Sequence, residues 1–193
     1  MRIFVAGASG VIGVRLVPLL VGAGHVVAGM TRSPEKLDAL RALGAEPVLC
    51  DVYDAARLER VVADFAPDLL MHQLTDLPDD QELIASRAGA NARIRREGTR
   101  NLIDAARAAG AKRFFAQSVA WTISGDGGAA TQELERAVLA YGGVVLRYGR
   151  LYGDGTYYES SVPQPPRVHI DAAARRTVEL LDAPSGIITI AEA

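Results

Sequence analysis

The sequence predicts a doubly wound α/β domain, in which helices cover both faces of a parallel β-sheet. Three observations carry this prediction. Short β-branched segments alternate with longer helical patterns, the first strand runs directly into a glycine-rich turn, and no internal repeat interrupts the alternation. Successive parallel strands need crossover helices, and the alternation supplies them. The length of 193 residues fits one such domain.

The elements follow in order from the periodicity. Strands are predicted at 2–6, 26–31, 46–50, 69–72, 113–117, 144–148 and 187–190, and helices at 10–23, 34–43, 55–65, 80–109, 131–140 and 172–181. In the second helix we expect Ser33 to cap the first turn, Pro34 to occupy the first helical position and Gly44 to end it. The stretches 124–130 and 153–166 are rich in turn residues and are expected to be irregular.

The amino-acid composition excludes several classes of binding partner. The chain has 21 Lys plus Arg and 23 Asp plus Glu, so it lacks the basic excess that a nucleic-acid binder uses to neutralise phosphates. Glycines and His25 interrupt the most apolar stretch, 17–30, before it reaches the ~20 residues of a membrane span. Cys50 is the only cysteine and is expected in the core. We therefore predict a cytoplasmic protein with a small-molecule substrate, without nucleic-acid, membrane or metal partners, and we allow for a homodimer.

The segment Gly7-Ala8-Ser9-Gly10-Val11-Ile12-Gly13 carries the clearest chemical signal, because it follows a strand and opens a helix. Gly7 allows a tight turn, Gly10 lets the backbone approach a pyrophosphate, and Gly13 lets helix and strand pack closely. The anion would lie at the helix N-terminus, where unpaired N–H groups and the helix dipole favour negative charge. The predicted cofactor contacts here are Gly7, Ser9, Gly10, Val11, Ile12 and Gly13. The alternative is a glycine turn that binds nothing.

The end of the second strand indicates which dinucleotide binds. NAD-binding domains place an acidic residue there for the ribose hydroxyls, whereas this chain has Thr31-Arg32-Ser33. Arg32 can hold a 2′-phosphate through charge-assisted hydrogen bonds, and Ser33 can add a hydroxyl. We therefore predict NADP as the cofactor, with NAD as the less favoured one. The alternative is that Arg32 is only solvated and Ser33 only caps a helix.

Together with later motifs, these residues resemble the short-chain dehydrogenase/reductase superfamily in its extended form, the NAD-dependent epimerase/dehydratase group. The GxxGxxG spacing is typical of that group, and the segments 97–106, 113–118, 146–153 and 168–173 are similar to its motifs in the same order. The resemblance implies a single Rossmann domain over 1–193, in which about 150–193 contribute to a reduced substrate-binding part. It also implies that Asp51 and Val52 lie beside the adenine, and that His72 and Gln73 pass under the cofactor.

The catalytic pair of that family is missing. Family members carry Tyr-x-x-x-Lys on a helix, where the lysine lowers the tyrosine pKa so that the phenol can exchange a proton during hydride transfer. This chain has only two lysines, Lys36 and Lys112, and neither lies four residues after a tyrosine. We expect both lysines to lie far from the reacting end of the cofactor.

Four other side chains are candidates for the chemistry. Ser118 follows the fifth strand, as the family serine does, and is either a hydrogen-bond donor to substrate or a polar strand end. Tyr152 is a weaker candidate for a substitute proton donor, although the resemblance makes it a residue that lines the site. His72 is either a proton donor or a structural residue. The resemblance makes His169, near Asp171, a loop-bracing residue.

Two functions remain open at this point. The first is an NADP(H)-dependent oxidoreductase or an epimerase/dehydratase-like enzyme, acting on a hydroxyl or carbonyl of a small molecule or sugar nucleotide. The second is a non-catalytic module that senses the redox state of the dinucleotide. The missing Tyr–Lys pair favours the second function, and the retained Ser118 and Tyr152 favour the first.

Overall fold

A computed structural model describes residues 1–78 and 80–192 of the chain. The strands are β1 (Arg2–Ala6), β2 (Val26–Thr31), β3 (Glu46–Leu49), β4 (Leu69–His72), β5 (Arg113–Val119), β6 (Val144–Tyr148), β7 (Arg150–Tyr152), β8 (Arg167–His169) and β9 (Gly186–Ile190). The helices are α1 (Gly13–Gly22), α2 (Leu37–Ala42), α3 (Ala55–Phe65), α4 (Ala88–Arg93), α5 (Thr99–Ala108), α6 (Gly125–Tyr141) and α7 (Ile170–Glu179).

Seven strands form one sheet in the order β3-β2-β1-β4-β5-β6-β9, and the pairings described within it are all parallel. The chain moves outward from β1 to β3, then crosses to β4 on the other side of β1. This reversal is the topological switch point, where ligands of open α/β sheets bind beyond the carboxyl ends of the strands. The predicted doubly wound fold is confirmed, including its short last strand.

The sheet is buried on both faces, as the long apolar strands require. Alternate side chains of β1 point to opposite faces, so that Val5 packs in the layer that includes α1 and α7, and Phe4 packs in the layer of α3, α5 and α6. Phe115 and Phe114 divide in the same way on β5. Cys50 is 3% exposed within the second layer, which confirms its predicted place in the core.

The long helix predicted at 80–109 is divided. A 3₁₀ turn at Gln81–Leu83 comes first, and α4 then continues through a π-helical turn at Ile94–Gly98 into α5. A π turn accommodates an extra residue and changes the direction in which its side chains point. Arg95 lies in this turn and is only 7% exposed. Hydrophobic periodicity alone did not reveal this break.

Residues 124–130 were wrongly predicted to be irregular, because α6 already begins at Gly125. Two of the glycines that suggested a loop, Gly127 and Gly128, serve close packing instead. A Cβ atom at Gly128 would lie 2.0 Å from the carbonyl oxygen of Ile123, so only glycine allows this turn to fold back on the preceding chain.

The predicted start of the second helix also needs correction. Ser33 occupies the cap position of a 3₁₀ turn at Pro34–Lys36, but its side chain makes no capping hydrogen bond, and the regular helix begins only at Leu37. Gly44 does follow the end of this helix, with φ +89°. The stretch 153–166 is irregular, as predicted, and it joins β7 to β8, which form a separate two-stranded parallel sheet.

In the part of the chain that the structure describes, none of the helices combines the length and the apolar character that crossing a membrane requires.

Candidate functional site

The glycine-rich turn connects β1 to α1 at the switch point. Gly7 has φ +93°, and a Cβ atom there would lie 2.7 Å from the backbone oxygen of Gln73 at the end of β4. A Cβ atom at Gly13 would lie 2.3 Å from the Gly7 oxygen, so Gly13 allows the start of α1 to pack on the turn. Gly7 and Gly13 are therefore required by the fold itself.

Gly10 differs from these two glycines. A Cβ atom at Gly10 would have one described neighbour within 4 Å, the Gly7 oxygen at 3.3 Å. The space beside Gly10 is open, and a side chain would fill it. Close by, the backbone N–H groups of Val11 and Ile12 donate to no acceptor among the described residues, and no side chain caps α1. An open space with free N–H donors at a helix N-terminus fits a pyrophosphate.

Thr31 at the end of β2 braces the turn. Its Oγ1 lies 2.9 Å from the Ser9 Oγ and accepts a hydrogen bond from the Ser33 backbone N–H at 3.2 Å. Thr31 is 4% exposed, so its hydroxyl is occupied by the protein. Arg32, in contrast, is exposed at the same edge, and its Nη2 lies 3.3 Å from Oδ1 of Asp76. The structure therefore places a carboxylate beside the predicted phosphate-binding arginine.

The ends of β3 and β4 complete this half of the edge. Just after β3, the Cys50 N–H donates to the Thr31 oxygen and extends the pairing with β2. The next two residues are Asp51, which is exposed, and Val52, which is only 4% exposed. The Gln73 N–H donates to the Ala6 oxygen and continues β4 beside the glycine turn. The predicted cofactor residues after β1, β2, β3 and β4 therefore lie along one edge of the sheet.

The side chain of His72 is fully buried and occupied. Its Nδ1 accepts from the Leu74 backbone N–H at 3.2 Å, so the ring hydrogen is on Nε2, which lies 3.1 Å from the Thr99 Oγ1. Burial lowers the pKa of His72 to about 3, and the charge of Arg95 acts in the same direction. The neutral, enclosed imidazole joins β4 to α5. Of the two roles that the sequence left open for His72, proton donor and structural residue, this geometry favours the structural one.

A group of charged and hydroxyl side chains lies at the carboxyl ends of β5 and β6, where Ser118 is the next-to-last residue of β5 rather than a residue after it, and extends to α6. We call Arg95, Ser118, Thr131, Glu135 and Arg147 the polar cluster. The Glu135 carboxylate accepts from the Ser118 Oγ at 2.6 Å and from the Arg147 Nε and Nη2 at 2.8 and 2.6 Å. The Arg95 Nη1 donates to the Thr131 Oγ1, which donates to the Gly127 oxygen. Thr131 and Glu135 are four residues apart and share one face of α6.

The charges of the cluster fix the state of Glu135. Burial alone would raise the pKa of this carboxyl, but the hydrogen bonds from Arg147 and Ser118 outweigh it and hold the pKa below its usual range. Glu135 is therefore ionised at neutral pH. Since Ser118 has a single hydroxyl hydrogen and donates it to Glu135, its oxygen is free only to accept. Donation from Ser118 to a substrate would require this bond to break.

Tyr152 lies on β7, outside the seven-stranded sheet. Its hydroxyl donates to both carboxylate oxygens of Glu192 at 3.0 Å, and this bond, with burial and the charge of Glu192, raises its pKa. Its ring contacts His169 edge to face, and the Nδ1 of His169 accepts from the Asp171 N–H at the start of α7. His169 thus braces this loop, as the resemblance implies.

The two lysines lie at different places around the sheet. The Lys112 N–H donates to the Asp68 oxygen at the amino end of β4, opposite the glycine turn. Lys36 ends the 3₁₀ turn after β2.

A segment between β7 and β8 crosses the switch point. Near its start, the Asp154 backbone oxygen accepts from the Arg15 Nη2 on α1 at 2.6 Å. Further along, the Tyr157 hydroxyl donates to the Pro78 oxygen, and the Tyr158 hydroxyl lies 3.3 Å from the Gln81 Nε2. The segment 154–158 thus contacts the chain that follows β1 and the chain that follows β4.

The sequence reasoning missed Asp76 and most of the polar cluster. A signal existed for part of it, since Arg147 interrupts an apolar strand and Glu135 stands next to the core residue Leu134. A charge at a core position indicates a buried partner. For Asp76 no such signal exists, because its partner Arg32 lies 44 residues away in the sequence.

The chain is similar in sequence to a reductase and in fold to nucleotide-sugar epimerases. A 3-diazoavenalumate denitrifying reductase from a Streptomyces species is 39% identical over an alignment that covers 82% of this chain and 59% of the relative. The chain thus spans about three fifths of that relative's length.

Two UDP-glucose 4-epimerase structures share the fold. The Thermus thermophilus enzyme, in complex with NAD, has a TM-score of 0.81 at 18% identity, and the match covers 99% of this chain and 78% of that one. The Thermotoga maritima enzyme, with UDP-glucose, has a TM-score of 0.80 at 17% identity, with 99% and 77% covered.

A family match covers the part of the chain that contains the glycine turn. Residues 7–142 match the family described as NAD(P)H-binding, and the match begins at Gly7, the first residue of the turn described above. This span includes the glycine turn and the ends of β2, β3, β4 and β5. The likeness to the epimerase/dehydratase group is confirmed in the fold, and the chain belongs to the NAD(P)H-binding family.

Proposed function

We propose that this protein is an NADPH-dependent reductase whose substrate accepts a hydride without needing a proton from a Tyr–Lys pair. The carrying observation is the combination of a dinucleotide-binding turn with polar side chains that are already engaged. The hydroxyl hydrogens of Ser118 and Tyr152 are both donated to carboxylates. Reduction of a carbonyl leaves an alkoxide that must be protonated, and the described geometry offers no free phenol–ammonium pair for this step.

The relative's name supports a different acceptor. It describes a denitrifying reductase of 3-diazoavenalumate. When bound, NADPH supplies a hydride. If the hydride adds to the carbon of an arenediazonium group, the C–N bond breaks and its electron pair leaves with N₂. The substrate gains two electrons, and no oxygen anion forms. A site without a Tyr–Lys pair is sufficient for such a reaction.

The residues of this chain would then bind and orient. The Val11 and Ile12 amides and the open space at Gly10 would hold the pyrophosphate, and Arg32 would hold the 2′-phosphate.

The test measures deuterium transfer from [4-²H]NADPH, using each of the two C4 epimers in turn. We expect protein-dependent conversion of 4-carboxybenzenediazonium to deuterated benzoate, corrected for the rate without protein. Gly10→Val is the control, because its branched side chain occupies the pyrophosphate space and should abolish transfer while the fold survives. Reduction of benzaldehyde or acetophenone, or epimerisation of UDP-glucose with NAD, without turnover of the diazonium would contradict this proposal and favour chemistry at a carbonyl or hydroxyl.

A dinucleotide sensor is the second candidate, and the engaged hydroxyls of Ser118 and Tyr152 favour it. Tight NADPH binding without turnover of any of these four compounds would support the sensor.

Cofactor preference is tested separately by calorimetric titration. We expect NADPH to bind more tightly than NADH, and Arg32→Asp to reverse this order by removing a charge-assisted contact of about 1.5–3 kcal/mol. Equal affinities in the original protein would contradict the NADPH assignment.

A further inference from the structure

Although no acidic residue ends β2, the structure brings a carboxylate to that position from elsewhere in the chain. Asp76 lies after β4, and its Oδ1 is 3.3 Å from the Arg32 Nη2. The Asp76 side chain is 22% exposed, whereas that of Arg32 is 59% exposed. Arg32 can therefore swing away into solvent, while Asp76 is held more closely by its surroundings.

One hydrogen bond and one electrostatic interaction locate Asp76. Its backbone N–H donates to the Asn91 Oδ1 on α4 at 3.2 Å. The Asp76 carboxylate also lies close enough to Tyr53, two residues after Asp51, to act on it electrostatically. Burial raises the pKa of the Tyr53 phenol, the charge of Arg93 opposes this, and the charge of Asp76 adds to the increase. Asp76 therefore lies between the end of β2 and the chain that follows β3, which is the region of the adenosine ribose in this fold.

Asp76 also has a free acceptor. While Oδ1 contacts Arg32, Oδ2 accepts no hydrogen bond from the described residues. A carboxylate oxygen with an open lone pair accepts well from the vicinal hydroxyls of a ribose. The same carboxylate repels a 2′-phosphate and competes with it for Arg32.

We infer that Asp76 is the ribose-recognising carboxylate of this site and that it limits the preference for NADPH over NADH. With NADH, Asp76 accepts hydrogen bonds from the 2′-hydroxyl. With NADPH, Arg32 leaves Asp76 and contacts the 2′-phosphate. The inference rests on the proposed function only in that a nicotinamide dinucleotide binds at this edge.

The test is calorimetric titration of NADH and NADPH into the starting protein and into Asp76→Asn. The amide keeps the size of the side chain and removes its charge. We expect NADH affinity to fall roughly fivefold to tenfold and NADPH affinity to rise by a similar factor, since one good charged contact is lost and one repulsion removed. A merely structural role of Asp76 would move both affinities in the same direction.

Two further variants sharpen the result. Asp104→Asn removes the same charge from an exposed position on α5, where Asp104 contacts Arg107, and should leave both affinities unchanged. In an Arg32→Met background, Asp76→Asn should improve NADPH binding less than in the original protein, because the competition for Arg32 is gone.

The outcomes are distinguishable. Opposite shifts of the two affinities, absent in Asp104→Asn, support the inference. Binding of both cofactors with no shift, or with shifts in the same direction, overturns it and leaves the proposed function standing. Failure of the starting protein to bind either cofactor overturns both.

Discussion

The two halves of the sheet's carboxyl edge are built differently. Beyond β1, the site consists mainly of backbone, with free amides at Val11 and Ile12 and an open space at Gly10. At the carboxyl ends of β5 and β6, the edge consists of charged and hydroxyl side chains joined to one another, with Glu135 between Ser118 and Arg147. The first half is open to a ligand, whereas the second is satisfied internally. A site made of backbone leaves its mark in the sequence as glycine, while a network of side chains exists only once distant segments meet.

Two substitutions within the glycine turn test most directly whether this half of the edge is built from backbone and open to a ligand. Gly13→Ala should lower the free energy of unfolding by roughly 3 kcal/mol or more, because its Cβ would lie 2.3 Å from the Gly7 oxygen. Gly10→Ala should change stability by less than about 1 kcal/mol and weaken NADPH binding at least about tenfold. Urea unfolding and calorimetry measure the two effects. Equal stability of the two variants would show that the turn packs differently.

The polar cluster gives the next largest effect. Glu135→Gln removes the carboxylate that neutralises Arg147 and lies near Arg95, so we expect the free energy of unfolding to fall by roughly 2–4 kcal/mol. The matched control is Glu133→Gln on the same helix, since Glu133 is 43% exposed and pairs with Arg96. It should cost about 1 kcal/mol or less. Similar losses in both variants, measured by urea unfolding, would contradict the buried character of the cluster.

The pH dependence of stability tests the enclosed histidine that separates the two halves. His72 stays neutral in the folded protein down to about pH 3, whereas in the unfolded chain it gains a proton below about pH 6.5. Its contribution is therefore fully present above pH 6.5 and is lost as the pH falls towards 3. Between pH 7 and 5 this amounts to about 2 kcal/mol.

His72→Gln should remove that part of the pH dependence, while His25→Gln should retain most of it. His25 contacts the terminal amine at an exposed position. Urea unfolding at pH 5, 6 and 7 measures the slopes, and identical slopes in the original protein and in His72→Gln would show that the ring is open to protons.

The smallest expected effect belongs to the lysines. Lys36→Met and Lys112→Met should each leave NADPH-dependent turnover, where it is found, within about twofold of the starting value. Lys112 begins the path into β5 at the far end of the sheet, and Lys36 lies in the turn after β2. A large loss in either variant with NADPH affinity intact would place that lysine at the reacting end of the cofactor.

The sequence was sufficient for the fold. Alternating periodicity predicted the seven strands of the large sheet, and the tight turn at Gly7 and the close packing at Gly13 were predicted where the structure has them, while pyrophosphate binding at Gly10 stays a prediction. It was insufficient where a residue's partner is remote. The contact of Arg32 with Asp76 and that of Arg95 with Thr131 join segments 44 and 36 residues apart, and neither follows from local propensity.

Glycine was also read too uniformly. At Gly10 in the turn after β1 it leaves an open space, whereas at Gly128 it permits the carbonyl of Ile123 to approach a helix. The same residue type therefore predicted a loop at 124–130 where α6 had already begun. What distinguishes the two cases is which atom occupies the space left by the missing Cβ.

The π turn at Ile94–Gly98 bears on how this chain can change by insertion and deletion. An α-helix advances about 100° per residue, so loss of one residue from the turn would restore regular winding and rotate the preceding helix by that angle relative to α5. Arg95 would then turn away from Thr131, and the interior would lose a cation without any substitution. A single codon deletion would thus remove one charge from the lining of this edge while the helix persists. Homologues that differ by one residue in this segment should differ in the polarity of the edge as well.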